Sequence, residues 1–251
     1  MALALEAFAK LNLDLRLLGR RDDGQHDIVT RFQAISLHDV IEVERSDRTT
    51  IEVTGLEAPS DSQNLVLRAA ASLEDAAGRP LPARWRLVKR IPSGAGLGGG
   101  SSDAASALRA LRDLFQLDVD LPPLAAVLGA DVPFFLRGGA AVGEGRGERL
   151  RPVAAPAAWF AIAWPGLCLS TAAVYAAWDD QGGDGENHLL RGALLVEPRL
   201  REFAERLGPG WRMTGSGSAF FREFADREPA QRACAGLDCW TAVARSVEAW
   251  G

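Results

Sequence analysis

The sequence has almost no lysine, asparagine or tyrosine. Lys10 and Lys89 are the only lysines, Asn12, Asn64 and Asn187 the only asparagines, and Tyr175 the only tyrosine, in 251 residues rich in Ala, Leu, Arg and Gly. A bias that strong replaces these residue types wherever a position is indifferent, so the survivors are candidates for positions that require them. Cysteine is scarce too. Cys168, Cys234 and Cys239 are odd in number and form no C-x-x-C, which argues against a disulfide framework and a structural zinc site and leaves reduced thiols as the expectation. No apolar run approaches the roughly 18 residues that span a bilayer, and the N-terminal stretch Met1 to Lys10 carries Glu6 and lacks the order of a signal peptide. A cytoplasmic protein is expected. There is no polybasic block: 28 Lys plus Arg face 33 Asp plus Glu, a formal charge of −5, which favours neither nucleic acid nor a membrane surface as partner.

What is present is an ordinary globular composition, 47% hydrophobic, enough for a buried core. Leu11, Leu13, Leu15 and Leu17 alternate with polar residues, the period of a half-buried strand over Leu3 to Leu18 that puts Lys10, Asn12 and Asp14 on its opposite face. Further strands are expected at 31–36, 40–45, 50–54 and 85–89, and a helix at 64–77. The strongest helical pattern is Ala104, Ala107, Leu108, Leu111, Leu114 and Phe115, with Ser101 or Ser102 as N-cap. A helix at 121–128 and strands at 139–143 and 148–153 follow. The Pro and Ala cluster Pro152 to Ala158 suggests a boundary, dividing the chain into 1–152 and 153–251. Beyond it come a strand at 159–164, a helix near 172–178, a loop, helices, a Gly/Ser turn between two strands, a helix near Pro229 and a final strand. This order indicates an α+β fold with helices on one face.

Between the strand at 85–89 and the strong helix lies Pro92-Ser93-Gly94-Ala95-Gly96-Leu97-Gly98-Gly99-Gly100-Ser101-Ser102-Asp103, with five glycines between Gly94 and Gly100. Glycine lets the backbone approach an anion, and the free N–H groups and dipole of a helix start stabilise it, so a polyphosphate is the natural ligand. Gly94 to Gly99 also matches G-x-G-x-x-G, but the turn follows strands that look antiparallel and leads into no second βα unit, so a dinucleotide-binding oxidoreductase ranks low. No Gly-Lys-Ser/Thr closes the turn as in a P-loop, and the H-R-D and D-F-G markers of protein kinases are absent.

Gly129-Ala130-Asp131-Val132-Pro133-Phe134-Phe135 sets one acid among Gly, Pro and aromatics. A partly desolvated carboxylate stays ionised when a cation compensates, and Lys10 is the candidate; the pair would accept a hydroxyl proton and neutralise a transferring phosphoryl group. Asp131 reads equally well as the cap of a turn before Pro133. Met213-Thr214-Gly215-Ser216-Gly217-Ser218 offers further backbone donors or a plain hairpin turn. His26, His38 and His188 carry no distinct signal, and no His/Cys/carboxylate cluster has metal-ligand spacing.

These motifs together resemble the GHMP kinases, nearly end to end: Ala9 to Leu13 is similar to the family's first motif, Ile91 to Ala105 to its phosphate loop, Gly129 to Phe135 to its catalytic aspartate segment and Met213 to Ser218 to its C-terminal glycine motif. The resemblance implies a two-domain fold, a ribosomal protein S5 domain 2-like N-terminal domain and a ferredoxin-like C-terminal one, and ATP with Mg²⁺ as phosphoryl donor. It implies Asp131 as base and Lys10 as its partner, with Pro92, Gly94, Gly96, Leu97, Gly98, Gly99, Gly100, Ser101 and Ser102 around the ATP phosphates. Asn64 and Lys89 would lie on the nucleotide side, and Asn12, His26, Thr171 and Tyr175 would face the small-molecule substrate. Through the two-serine, three-glycine form of the loop together with Gly129 to Phe135, the resemblance implies as substrate a cytidine diphosphate-linked methylerythritol, phosphorylated on its 2-hydroxyl in the non-mevalonate route to isoprenoids; homoserine, mevalonate or a sugar is the alternative. Mg²⁺ ligands are not indicated beyond Ser102 and Asp103. The family commonly has an aromatic before the histidine; here Gln25 stands there, and Phe32 or a tryptophan would have to supply the missing stacking surface, typically worth about 1–3 kcal/mol per base.

Overall fold

A computed structural model of the chain describes residues 2–250. It opens with a long antiparallel pair, β1 (Ala2–Arg20) and β2 (His26–Arg45). β3 (Thr50–Gly55), α1 (Leu65–Ala77), β4 (Ala83–Lys89), α2 (Gly99–Phe115), α3 (Leu121–Leu128), α4 (Val132–Arg137), β5 (Ala140–Gly145) and β6 (Arg149–Val153) complete the first half. The second half is β7 (Trp159–Trp164), α5 (Thr171–Gln181), α6 (Leu190–Val196), α7 (Arg199–Leu207), β8 (Arg212–Met213), β9 (Phe220–Phe224), α8 (Arg227–Cys234) and β10 (Trp240–Arg245).

Among the described residues there are two sheets. The first runs β3-β4-β2-β5-β6 with β1 paired to β2, and the second runs β10-β7-β9-β8. Residues 31–36 and 40–45, expected as separate strands, are one strand: the register shift between Phe8 and Ala9 on β1 absorbs the irregularity that looked like a break. Helices α1 to α4 cover one face of the first sheet, where Trp85, Leu87 and Ile41 meet Leu108, Leu111 and Phe134. From α2 the chain passes through α3 and α4 to β5, which pairs antiparallel with β2, so no βαβ unit spans the glycine turn and the dinucleotide reading loses its structural context.

β1 is the spine of the molecule. Its Ala7 belongs to the core under α1 to α4, its Leu11 to a core shared with Phe160, Ile162 and Phe221 of the second sheet, and its Leu15 and Leu17 to a third core with Val174, Leu200 and Phe220. The half-buried reading of this strand is therefore corrected: Lys10 and Asn12, on the face opposite the leucines, are also buried, because the glycine turn and the β8–β9 hairpin close over them.

Candidate active site

The site is built from the glycine turn outward. The expected serine N-cap of α2 gives way to Gly98, whose φ of +74° puts it in the left-handed region; Ser101 and Ser102 lie inside the first turn. A side chain at Gly98 would sit 2.8 Å from the Phe135 ring and 3.0 Å from Cγ of Lys10, and one at Gly96 (φ +79°) would collide with the carbonyl oxygen of Thr214. Glycine is thus required twice over, for backbone conformation and for close approach. The β8–β9 hairpin is what crowds it: Ala219 N–H donates to the Ala95 carbonyl at 3.0 Å, so the second Gly/Ser motif is both a hairpin and a wall of the site.

Lys10 joins the turn to the acid. Its Nζ donates to Asn12 Oδ1 at 2.5 Å and to the Gly96 carbonyl at 2.8 Å, and lies 3.5 Å from Asp131 Oδ2. The lysine is 3% exposed, whereas the Asp131 side chain is 33% exposed and opens into the cavity. Asp131 does occupy the N-cap position of α4, but its carboxylate makes no capping hydrogen bond and is left to face Lys10. Asn12 is held in turn: its Nδ2 donates to Thr30 Oγ1 at 2.8 Å and its N–H to Thr214 Oγ1 at 2.9 Å.

These groups line a cavity of about 480 Å³ together with Pro92, Gly94, Leu97, Gly99, Gly100, Ser101, Lys89, Thr171 and Tyr175. A second cavity of about 530 Å³ adjoins it and is lined by Gln25, His26, Thr171, Tyr175 and Asp179. The two cavities, a glycine-lined helix start at one end and a lysine–carboxylate pair between them, have the layout of a phosphotransferase for a small molecule.

Comparison with known proteins gives the same answer. Residues 64–139 match the GHMP kinases N terminal domain. The chain is 42% identical to the 4-diphosphocytidyl-2-C-methyl-D-erythritol kinase of Thermus thermophilus, over 92% of its own length and 91% of the relative's. The chain belongs to the 4-diphosphocytidyl-2-C-methyl-D-erythritol kinase family. The kinase of that name from Pseudomonas aeruginosa is 39% identical, with 94% and 90% of the two chains covered. The crystal structure of a 4-(cytidine 5'-diphospho)-2C-methyl-D-erythritol kinase superposes with a TM-score of 0.82 at 38% identity, covering 99% of this chain and 100% of that one. Homoserine kinase from Cytophaga hutchinsonii, at 19% identity and a TM-score of 0.65, shares the fold.

Within this family frame, some expected site residues do not face the cavities. Ser102 is buried, turned into the helix packing with its hydroxyl unpartnered, and its N–H is used by the Gly98 carbonyl at 2.9 Å. Asn64 is the N-cap of α1: its Oδ1 accepts from Val66 N–H at 2.9 Å and its Nδ2 donates to the Pro59 carbonyl at 2.6 Å, so both ends are spent on the backbone and Leu65 faces the cavity instead. Lys89 reaches the cavity floor, but its charge is enclosed. Its Nζ donates to Asp39 Oδ2 and, at 2.7 Å, to Asp103 Oδ2, while Asp39 Oδ1 accepts from the N–H groups of Arg90 and Ile91 at 2.5 and 2.9 Å. Burial pushes the Asp103 carboxyl up to about 7, against the pull of Lys89 and with the help of Asp39. Burial also opposes the charge on Lys89, but the two carboxylates outweigh it and its pKa is raised. Asp103 is thus buried against Lys89 and does not line the glycine-turn cavity.

At the second cavity, the His26 ring packs on Tyr175 with centroids 4.9 Å apart and edge-on to Trp178 at 5.7 Å, and its Nε2 lies 2.6 Å from Asp179 Oδ1. Thr171 Oγ1 pairs with Ser216 Oγ at 3.0 Å, tying α5 to the hairpin. Burial, and secondarily the Asp131 charge, pushes the Tyr175 hydroxyl up to about 12, so it stays protonated at neutral pH. Phe32 does not replace the aromatic expected at Gln25: it is buried against Phe134, under Lys10. Asp39 and Asp179 were missed in the sequence, as was the bond of the Thr214 hydroxyl to Asn12. Asp39 alone left a signal, an acid in the alternating apolar run Ile35, Leu37, Asp39, Ile41, Val43.

Proposed function

We propose that this chain transfers the γ-phosphoryl group of ATP to the 2-hydroxyl of 4-diphosphocytidyl-2-C-methyl-D-erythritol, in the non-mevalonate route to isoprenoid precursors. The observation that carries the reading is the position of Lys10, bonded to the Gly96 carbonyl of the phosphate cradle and 3.5 Å from Asp131. In this mechanism the backbone of Gly96 to Ser101 and the start of α2 hold the ATP phosphates. Asp131 accepts the proton of the 2-hydroxyl as that oxygen bonds to the γ-phosphorus and the bond to the β-phosphate oxygen breaks, releasing ADP. Lys10 orients Asp131 and stabilises charge on the transferring group. His26, Tyr175 and Thr171 receive the cytidyl end. Mg²⁺ enters as part of the nucleotide substrate. Among the described residues no cluster of three or more His, Cys, Asp or Glu could hold a metal, and Ser102 and Asp103 are buried. The division into domains at 152/153, and a cytoplasmic setting where ATP is the donor, belong to the same proposal; no helix among the described residues is long and apolar enough to cross a membrane.

The test is ADP release by purified protein with ATP and a substrate panel. Turnover with the cytidine diphosphate-linked methylerythritol supports the reading; turnover only with homoserine, mevalonate or a sugar moves the chain to another branch of the GHMP kinases.

A further inference from the structure

The two cavities share one cation. Four Lys or Arg side chains line one or the other: Lys10, Lys89, Arg20 and Arg146, and only Arg146 lines both. Two of the four, Lys10 and Lys89, are committed to hydrogen-bonded protein partners, and Arg20, 62% exposed, lines only the second cavity. Lys10 is bonded to Asn12 and Gly96 and faces Asp131; Lys89 is enclosed between Asp39 and Asp103; Arg20 lies 3.7 Å from Asp179, which also holds His26. Arg146 is held as loosely as Arg20 but stands where the two cavities meet. Its one ion pair among the described residues, with Glu148, spans 3.9 Å, outside hydrogen-bond reach, and its side chain is 39% exposed.

The backbone of Arg146 is nevertheless pinned. It sits in the turn between β5 and β6, where Gly147 N–H donates to the Glu144 carbonyl at 3.1 Å and the N–H of Arg146 donates to Glu148 Oε2 at 2.7 Å. A side chain on an anchored turn, lining the junction of two cavities and with no carboxylate within hydrogen-bond reach of its guanidinium, is suited to an incoming anion. A guanidinium offers a planar fork of donors that matches phosphate oxygens, and it is always charged. The nucleotide phosphates already have the glycine turn and the start of α2. A diphosphate running from the His26–Tyr175 end toward Asp131 has no such backbone cradle and needs a side-chain cation.

We propose that Arg146 is a specificity-determining residue, whose guanidinium receives the diphosphate of the phosphoryl acceptor where the two cavities meet. This rests on the acceptor proposed above, a nucleoside diphosphate linked to a small polyol. Titration of the full chain with cytidine 5'-diphosphate, with cytidine as the control, tests it independently of turnover. Arg146→Gln should raise the Kd for cytidine 5'-diphosphate about 10- to 100-fold, the loss expected for charge-assisted hydrogen bonds, and leave cytidine binding unmoved. Arg146→Lys should recover part of the loss. In steady state the KM for the acceptor should rise in Arg146→Gln while the KM for ATP stays put. An unchanged Kd for cytidine 5'-diphosphate overturns the inference, as does a rise confined to the KM for ATP, which would assign Arg146 to the nucleotide. Wild-type protein that binds cytidine 5'-diphosphate through Arg146 but does not phosphorylate the acceptor leaves the inference standing and removes the proposed reaction. Failure of wild-type protein to bind cytidine 5'-diphosphate at millimolar concentration overturns the inference whether or not turnover is seen.

Discussion

The two lysines of this chain are equally buried, each 3% exposed, yet their surroundings are opposite. Lys10 has neutral oxygens from Asn12 and Gly96 at hydrogen-bond distance and a single carboxylate at 3.5 Å, itself open to the cavity. Lys89 is closed between two carboxylates that are themselves buried. Burial therefore does not separate chemistry from architecture; the charge balance and the side open to the cavity do. A cation with neutral ligands and one exposed acid has electrostatic capacity left for a phosphoryl group, whereas a cation already matched by two acids has been spent on holding β2, β4 and α2 together.

The comparison breaks if the lysines can be exchanged in role, and replacing each by methionine is the strongest attempt. Lys89→Met leaves two buried carboxylates uncompensated and should cost about 3–5 kcal/mol of stability in urea unfolding, the range for breaking a buried pair. Lys10→Met should be the milder change in the same measurement but lower kcat about 100-fold or more, since it removes a preorganised positive charge from the transferring group. Equal stability losses with equal losses of rate would dissolve the distinction. A smaller effect is expected at the point where the turn touches Lys10. Gly98→Ala places a Cβ against Phe135 and Lys10 at a positive φ, and should cost about 1–3 kcal/mol with a fall in kcat that Gly100→Ala, outside the left-handed region, does not match. The smallest effect is a dependence on pH. The folded-state pKa of Asp103 is about 7 against an ordinary 3.8, so the native state binds the extra proton between those values and this group's contribution to stability falls as pH rises through that window. Asp103→Asn should remove that slope, so the stability of the variant relative to wild type should increase from pH 4 to pH 7 in urea melts; a constant difference would show that Asp103 does not titrate there.

Much of the site was legible because its residues are ones the composition otherwise avoids. Lys10, Lys89, Asn12, Asn64 and Asn187 are all buried, and each uses its polar head. Scarcity marked them all but did not sort them: Asn64 caps a helix, Asn187 donates to the carbonyls of Met213 and Gly215 and so shapes the hairpin, and only Lys10, which Asn12 holds, pairs with the candidate base. The glycine turn was legible because close approach demands glycine locally, and the helix after it because periodicity is local too. What was not legible depends on tertiary contact. The serine N-cap followed from propensity, but the chain enters α2 through Gly98 because Phe135 and Lys10 leave no room for a Cβ there. Both faces of β1 are covered by segments more than eighty residues away, which a period of two cannot reveal. Asp179 behind His26 and Arg146 at the cavity junction lie in segments with no motif of their own.

The most direct test of the assignment of Lys10 and Asp131 is single-turnover phosphoryl transfer to the cytidine diphosphate-linked methylerythritol by Asp131→Asn. The account predicts a rate about 10²- to 10⁴-fold below wild type, the usual contribution of a general base, with ATP affinity within about threefold. An Asn variant that transfers the phosphoryl group at the wild-type rate would contradict it, and would leave Lys10 joined to a carboxylate that takes no part in the reaction.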